Sequence, residues 1–531
     1  MNMPAQAHAR DGAGCMTRIA SLDEIYVVLD RLAHERPNDV AMISPRGQHT
    51  TFAALSDAVS AAATRLQAEG MRQGDAVVFS VRPSVEAIIL ILATVRAGGI
   101  LVAADPGMGA ELFAARIAAV RPRFVMAESV LYALSASRVA RKVLRSRHLE
   151  LPQVGRLTGC RFVRVGGWMP GTPRSIDAAH LMYPLPRCSP PVQLQADDPV
   201  LIIFTSGTTM EPRAVVHSAR SIAAMLDTSR LISDLDETSI VMTDQLHSTL
   251  PALLAGAQVV VPRIGAHAPA VLNLLHRSRA THAFFVPSDL LRMVTYCEQH
   301  GRSLPDSLHQ IVLGSGPVDR PLLARLLPFL RGGTRVRSVY GLTEMAPVAS
   351  VDMMEKLAWQ GEGDLVGAPL PGSRARIGED GELYVAGDHL CDRYLGSESL
   401  TEVATGDLAR FDDDGRIVLL GRVKDMIIRG RFNIYPALYE GKIAEIPGVA
   451  RCALIGVWDE HLADERVVLA LEPASKEMNP IQLRRRVELA LRADALVDTL
   501  ALPDEILVMP LPESGRTHKI DRNALRRKLA Q

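Results

Sequence analysis

Thr205, Ser206, Thr208 and Thr209 place four hydroxyls within five residues, and Gly207 between them lets the backbone turn tightly. A loop of this kind can aim N–H and O–H donors at phosphate oxygens, and Arg213 adds positive charge just downstream. Taken alone, the stretch 204–218 reads equally as a polar turn between strands. A second group, Tyr340-Gly341-Leu342-Thr343-Glu344, combines an aromatic ring, a glycine and a Thr-Glu pair. Such a set can cover a base, approach a phosphate and hold a hard cation. Between the two lies Leu313-Gly314-Ser315-Gly316-Pro317, where a flat ring could approach the backbone. Thr405-Gly406-Asp407 sets a carboxylate just after a turn, suited to bridging two ribose hydroxyls. The run 421–430 carries Arg422 and Lys424, and Gly515-Arg516-Thr517-His518-Lys519 puts a lysine in a glycine-led loop near the end.

The elements around these groups alternate in type. Helical spacing over 22–35, 51–69 and 85–97 is interleaved with strand-like runs at 75–81 and 100–103. The hydroxyl loop follows an apolar run at 200–204, and the same rhythm returns beyond it. There, helices are predicted near 221–233 and 268–279, and strands near 258–261 and 283–286. This alternation predicts an α/β fold with largely parallel strands. From about Gly361 the texture changes to short glycine-punctuated strands at 374–377, 382–385 and 417–420, read as an antiparallel meander or small barrel. A final unit contains strands at 453–457 and 467–471, a helix at 482–492 and a basic last helix. The expected division is 18–420 for a large N-terminal region of layered α/β subdomains with a small β-rich subdomain. Residues 421–531 then form a smaller, mobile α+β domain.

Composition narrows the class. The chain has 531 residues, 48% of them hydrophobic and 22% charged, in the range of a globular protein with more than one domain. Lys plus Arg equals Asp plus Glu at 59 each, so no overall field favours nucleic acid or an anionic membrane. The basic run Arg138, Arg141, Lys142, Arg145, Arg147 is a local exception and reads as a solvated helix face, with a site for an anionic substrate or carrier as the alternative. Six scattered cysteines without a C-x-x-C pair suit a reducing cytoplasm. The longest apolar stretch, 87–95, is too short to span a bilayer, and residues 1–17 read as a disordered leader without a signal-peptide core.

In their order along the chain, the motifs resemble those of the adenylate-forming superfamily. It includes acyl-CoA synthetases, firefly luciferase and the adenylation domains of nonribosomal peptide synthetases. The resemblance runs from about Leu22 to Leu529. It implies that Thr205, Ser206, Gly207, Thr208, Thr209 and Arg213 form the ATP phosphate loop. Gly314, Ser315 and Gly316 lie beside adenine, with Tyr340 and Gly341 flanking it. Thr343 and Glu344 sit near the α-phosphate and Mg²⁺, with Glu344 as metal ligand. Asp407 and Arg422 contact ribose, Lys424 is the domain hinge, and Lys519 bridges acyl carboxylate and α-phosphate. The family's usual Gly-x-Pro-Lys-Gly appears here as Met210-Glu211-Pro212-Arg213-Ala214, which keeps a charge and loses two glycines. The runs 104–109, 343–348 and 433–436 look like the fatty-acyl ligase branch, and within it the olefin-pathway β-lactone synthetases.

The implied activity is ATP-dependent activation of a fatty or related carboxylic acid, with transfer of the acyl group to coenzyme A or a carrier phosphopantetheine. Any carrier protein would be a separate chain. Attack of a carboxylate on the α-phosphorus brings two anions together, so catalysis must come from positioned positive charge. Two alternatives stay open: a β-lactone synthetase acting on a 3-hydroxy acid, and a non-catalytic nucleotide-binding relative. A P-loop phosphotransferase is disfavoured, since no G-x-x-x-x-G-K-[ST] occurs. His247 is read either as bordering the acyl or thiol channel or as a buried structural histidine.

Overall fold

The computed structural model describes residues 19–103, 110–146, 151–205, 213–422, 426–430, 432–434, 436–475, 478–493, 497–514 and 519–530. Residues 1–17, the run 104–109 and Arg147 lie outside the described residues.

An eight-stranded sheet and a thirteen-stranded sheet form the large N-terminal part. In the first, the strands Pro199–Thr205, Ile100–Ala103, Ala76–Ser80, Phe124–Glu128, Arg161–Val165 and Ser175–Asp177 lie side by side and parallel. Their apolar runs are covered by helices, as parallel strands require. Every residue of the helix Val85–Arg96 except Glu86 is buried, which matches its largely apolar sequence. Ser84 starts it by accepting a hydrogen bond from the Ala87 N–H at 3.1 Å. Among the described residues no helix is long and apolar enough to cross a membrane.

The thirteen-stranded sheet changes character at Arg335–Leu342. On one side Gln310–Leu313, His282–Phe285, Ile240–Met242, Gln258–Val260 and Val40–Ile43 continue it in parallel. On the other, Met345–Asp352, Asp364–Pro369, Ile417–Arg422, Val403–Phe411, Glu382–Gly387 and Ser373–Ile377 are antiparallel. The antiparallel meander expected from the glycine-punctuated segment is therefore realised as a continuation of the large sheet. Pairing of Asp364–Pro369 with Met345–Asp352 joins it to the rest.

The smaller C-terminal domain is built on the three-stranded sheet Val449–Asp459, Asp464–Pro473 and Glu505–Val508. Alternation divides its residues between two cores. Cys452, Leu454, Val467 and Leu469 pack with Ile443 and Ile446, with Leu483 and Val487, and with Ile427 and Ile434 of the hairpin Ile427–Arg429/Phe432–Ile434. Ala453, Ile455, Val457 and Val468 face the other way, against Leu511, Leu525 and Ile520. The strand pairs 427–429/432–434 and 513–514/519–520 thus lie on opposite faces of one sheet.

Small and large parts touch directly. Ala463 is buried in the core formed by Leu322, Leu323 and Val336, and Trp458 packs against that core. The Trp458 indole donates to the carboxylate of Asp319.

A buried histidine makes the fold acid-sensitive. His282, at the start of its strand, is driven down to about 4, chiefly by burial and then by the neighbouring His309. A folded value below the unfolded 6.5 means the unfolded chain binds the proton first, so stability is complete above pH 6.5 and falls as pH drops towards 4. The expected loss from this group is about 2 kcal/mol at pH 5 relative to pH 7.5. Guanidinium unfolding at the two pH values measures it, and His282→Asn should shrink the acid loss by that amount. An unchanged pH dependence in the variant refutes the assignment.

Candidate functional site

Thr343 and Glu344 are the two residues between the strands Arg335–Leu342 and Met345–Asp352, where the sheet passes from parallel to antiparallel. A two-residue turn holds both side chains at the sheet's end and leaves them little freedom. Gly341 is required there, because a Cβ would lie 2.9 Å from the Ala346 Cβ. The Glu344 carboxylate is oriented by Tyr394, whose hydroxyl donates to Oε1 at 2.9 Å. The Glu344 carbonyl accepts from the Cys391 N–H at 2.7 Å. The Thr343 carbonyl lies 2.9 Å from Nε2 of His217.

Tyr394 and His217 reach the turn because their strands pair. Arg393–Tyr394 lies antiparallel to Arg213–Ser218, with Tyr394 opposite Val215 and Arg393 opposite Val216. Arg213–Ser218 in turn pairs with Pro199–Thr205, so that Thr205 and Arg213 are register partners. The backbone therefore brings the two ends of the hydroxyl loop together beside the strand that meets Glu344. Ser206, Gly207, Thr208, Thr209 and Met210 lie outside the described residues.

Tyr340, in the strand preceding the turn, donates its hydroxyl to Asp407 Oδ2 at 2.7 Å. Asp407 is buried, and its N–H donates to the Thr405 hydroxyl at 3.1 Å. Gly406, with φ of 79°, is in the left-handed region, and its N–H donates to Glu382 Oε1 at 2.8 Å. Arg422 is the register partner of Asp407 across the neighbouring strand. One residue set therefore joins the tyrosine, the aspartate and the arginine strand. The segment Gly314-Ser315-Gly316 leaves the parallel strand adjacent to Arg335–Leu342. Ser315 holds a positive φ of 64°, a conformation costly for a side-chain-bearing residue. A Cβ on Gly314 would lie 3.4 Å from the Phe284 ring. His247 is half-buried against that same ring, edge to face with centroids 4.7 Å apart. It shares the Phe284 ring with Gly314 and is half-buried, which fits either reading.

The small domain reaches this region through its hairpin 427–434. The Gly430 carbonyl oxygen lies 3.8 Å from where a Gly316 Cβ would stand, and Asp464 Oδ2 accepts from the Gly430 N–H at 2.7 Å. Lys519 opens the short strand Lys519–Ile520, opposite Ser514 in the other hairpin. Lys424 lies outside the described residues. An open depression of about 550 Å³ lined by Glu86, Gly166, Asp177, Met182 and Tyr183 contains none of the candidate residues.

Two side chains that touch the turn escaped the sequence reading. His217 stands within the hydroxyl stretch itself, four positions after Arg213, and Tyr394 sits in a two-residue strand with no motif of its own. Only the strand pairing reveals them.

Residues 29–395 match the family of AMP-binding enzymes, and the chain belongs to that family. It is an AMP-forming ligase of the adenylate-forming superfamily. It is 30% identical over 438 residues to a feruloyl-CoA synthase from Amycolatopsis sp, covering 78% of this chain and 82% of the relative. It is 25% identical over 519 residues to an olefin beta-lactone synthetase from Xanthomonas campestris pv. campestris, covering 86% and 88%. Its fold is similar to that of the amide bond synthetase McbA from Marinactinospora thermotolerans. There the TM-score is 0.75 with 23% identity, over 96% of this chain and 99% of the other.

Proposed function

We propose that this enzyme activates a fatty or related acyl acid in the cytoplasm as its acyl-adenylate, releasing pyrophosphate, and passes the acyl group to the thiol of coenzyme A or of a separate carrier protein. The observation that carries this reading is the convergence at Thr343–Glu344. The strand leaving the hydroxyl loop and the strand bearing Tyr394 both reach that turn, and Tyr340 links its preceding strand to Asp407. The 205–213 loop would take the phosphates. Tyr340 and residues 314–316 would take adenine, and Asp407 and Arg422 the ribose. Glu344 and the Thr343 hydroxyl are hard oxygen donors of the kind Mg²⁺ prefers, so the donor set fits that ion. When bound, the cation would neutralise phosphate charge.

The small domain supports a two-stage cycle. Its hairpin 427–434 lies against Gly316, while Lys519 belongs to the hairpin on the sheet's opposite face. Delivery of Lys519 to the acid and α-phosphate requires this domain to turn about the segment containing Lys424. The arrangement with 427–434 docked would serve thiol transfer.

Acid-dependent exchange of pyrophosphate into ATP tests the activity. The panel should hold fatty acids, aromatic acids such as ferulate, and 3-hydroxy acids, because the relatives are named for aromatic and β-lactone chemistry. The expected result is exchange that depends on one acid class and on Mg²⁺. Net ATP consumption by a 3-hydroxy acid without thiol supports β-lactone closure instead. Nucleotide binding without exchange for any acid sinks the catalytic reading.

A further inference from the structure

His217 has no role in the chemistry described so far, yet it is 3% exposed and sits at a mechanical junction. It belongs to the strand Arg213–Ser218, which leads directly out of the hydroxyl loop in the eight-stranded sheet. Its Nε2 lies 2.9 Å from the carbonyl of Thr343, 126 residues away, in the turn of the thirteen-stranded sheet. A carbonyl oxygen only accepts, so Nε2 must carry the proton and donate. Nδ1 then faces the Ser221 hydroxyl at 3.5 Å, a longer contact. The imidazole therefore ties the strand carrying the phosphate loop to the backbone of the Thr343-Glu344 pair.

A second histidine provides a contrast. His389 is 1% exposed, and its Nε2 lies 2.7 Å from the Pro347 carbonyl. It braces the same strand three residues beyond Glu344.

We propose that His217 is a positioning residue for adenylation. Its Nε2–H to Thr343 hydrogen bond sets the distance between the strand Arg213–Ser218 and the Thr343–Glu344 pair. The inference rests on the activity proposed above. Phosphoryl chemistry depends on alignment of the attacking carboxylate, the α-phosphorus and the neutralising groups. If the two sheets shift relative to each other, ATP can still bind while the reacting geometry is lost.

The test compares three variants in pyrophosphate exchange at a temperature well below unfolding. His217→Leu removes the donor, and His217→Gln can place an amide N–H near the Nε2 position. His217→Asn keeps a polar group but is too short to reach Thr343. Leu and Asn are expected to lower kcat by about 10- to 100-fold with KM for ATP and acid within about 3-fold. Gln should recover most of that loss. If the Leu variant does not fold, the Gln–Asn pair, differing by one methylene, carries the comparison. His389→Gln and His389→Asn serve as controls and should separate in thermal stability more than in kcat. Wild-type exchange together with an unimpaired Asn variant, or with Gln as impaired as Asn at equal stability, overturns the inference alone. Absence of exchange in the wild type with every acid removes both the activity reading and this inference.

Discussion

Replacing Lys519 by alanine is expected to lower acid-dependent pyrophosphate exchange by about 10²- to 10³-fold. The reacting carboxylate and the α-phosphate are both anionic, so bringing them into contact is opposed by repulsion that a low-polarity site strengthens. A lysine contributes a compact ammonium with three rotatable donors, able to touch both groups at once. Arginine has the charge but a larger planar fork, so Lys519→Arg should restore little. The placement of Lys519 adds a sharper expectation. Its hairpin lies on the sheet face opposite the hairpin that reaches Gly316. Thiol transfer from a preformed acyl-adenylate should therefore proceed in Lys519→Ala within about 3-fold of wild type. Single-turnover mixing of adenylate and coenzyme A measures that step, and exchange measures the first. Equal loss in both steps contradicts the two-faced arrangement. Full exchange in the variant removes Lys519 from the chemistry.

Much of the local structure was legible because its causes are local. A hydroxyl-rich loop after an apolar run and a Thr-Glu pair after Tyr-Gly each announce a strand exit, and an aspartate after Thr-Gly announces a turn. The structure places such exits at Thr205 and Leu342, but Thr405-Gly406-Asp407 lies inside the strand Val403–Phe411 and not after a turn. The strand expected at 453–457 is likewise found, its continuous apolar run matching a sheet covered on both faces by the two cores that Leu454 and Ile455 enter. The joints between motifs were not legible. Tyr394 and Glu344 are 50 residues apart, and His217 and Thr343 are 126 apart. Both contacts arise from the short strand Arg393–Tyr394 and its neighbour docking the edge of one sheet beside a turn of the other. A two-residue strand has no periodicity to detect. The continuation of the antiparallel segment into the large sheet was equally hidden. It depends on the pairing of Ala349 with Pro369 and Ser350 with Ala368, which no local pattern specifies.

Glu344→Gln is expected to be the second most damaging substitution, because it removes a charge without disturbing shape. Glutamine retains the acceptor oxygen that Tyr394 uses at 2.9 Å and the backbone carbonyl that Cys391 uses at 2.7 Å. The turn should therefore stay in place and thermal stability should hold. What is lost is a full negative charge beside the Thr343 hydroxyl, the combination suited to a hard divalent cation. Exchange should fall by roughly 10²-fold at limiting Mg²⁺, and the Mg²⁺ concentration giving half-maximal rate should rise at least about 10-fold. Raising Mg²⁺ should restore part of the rate. Tyr394→Phe provides the complementary case: the carboxylate keeps its charge and loses the hydroxyl that orients it. Its expected cost is smaller, about 10-fold in apparent Mg²⁺ affinity, as for other groups that hold a ligand in place. Mg²⁺ titrations of exchange for the three proteins, with thermal melts alongside, separate charge from orientation. If Glu344 served only to fasten the Arg393–Tyr394 strand, the order would reverse. The glutamine variant would then match wild type, and the phenylalanine variant would lose stability with no change in Mg²⁺ dependence.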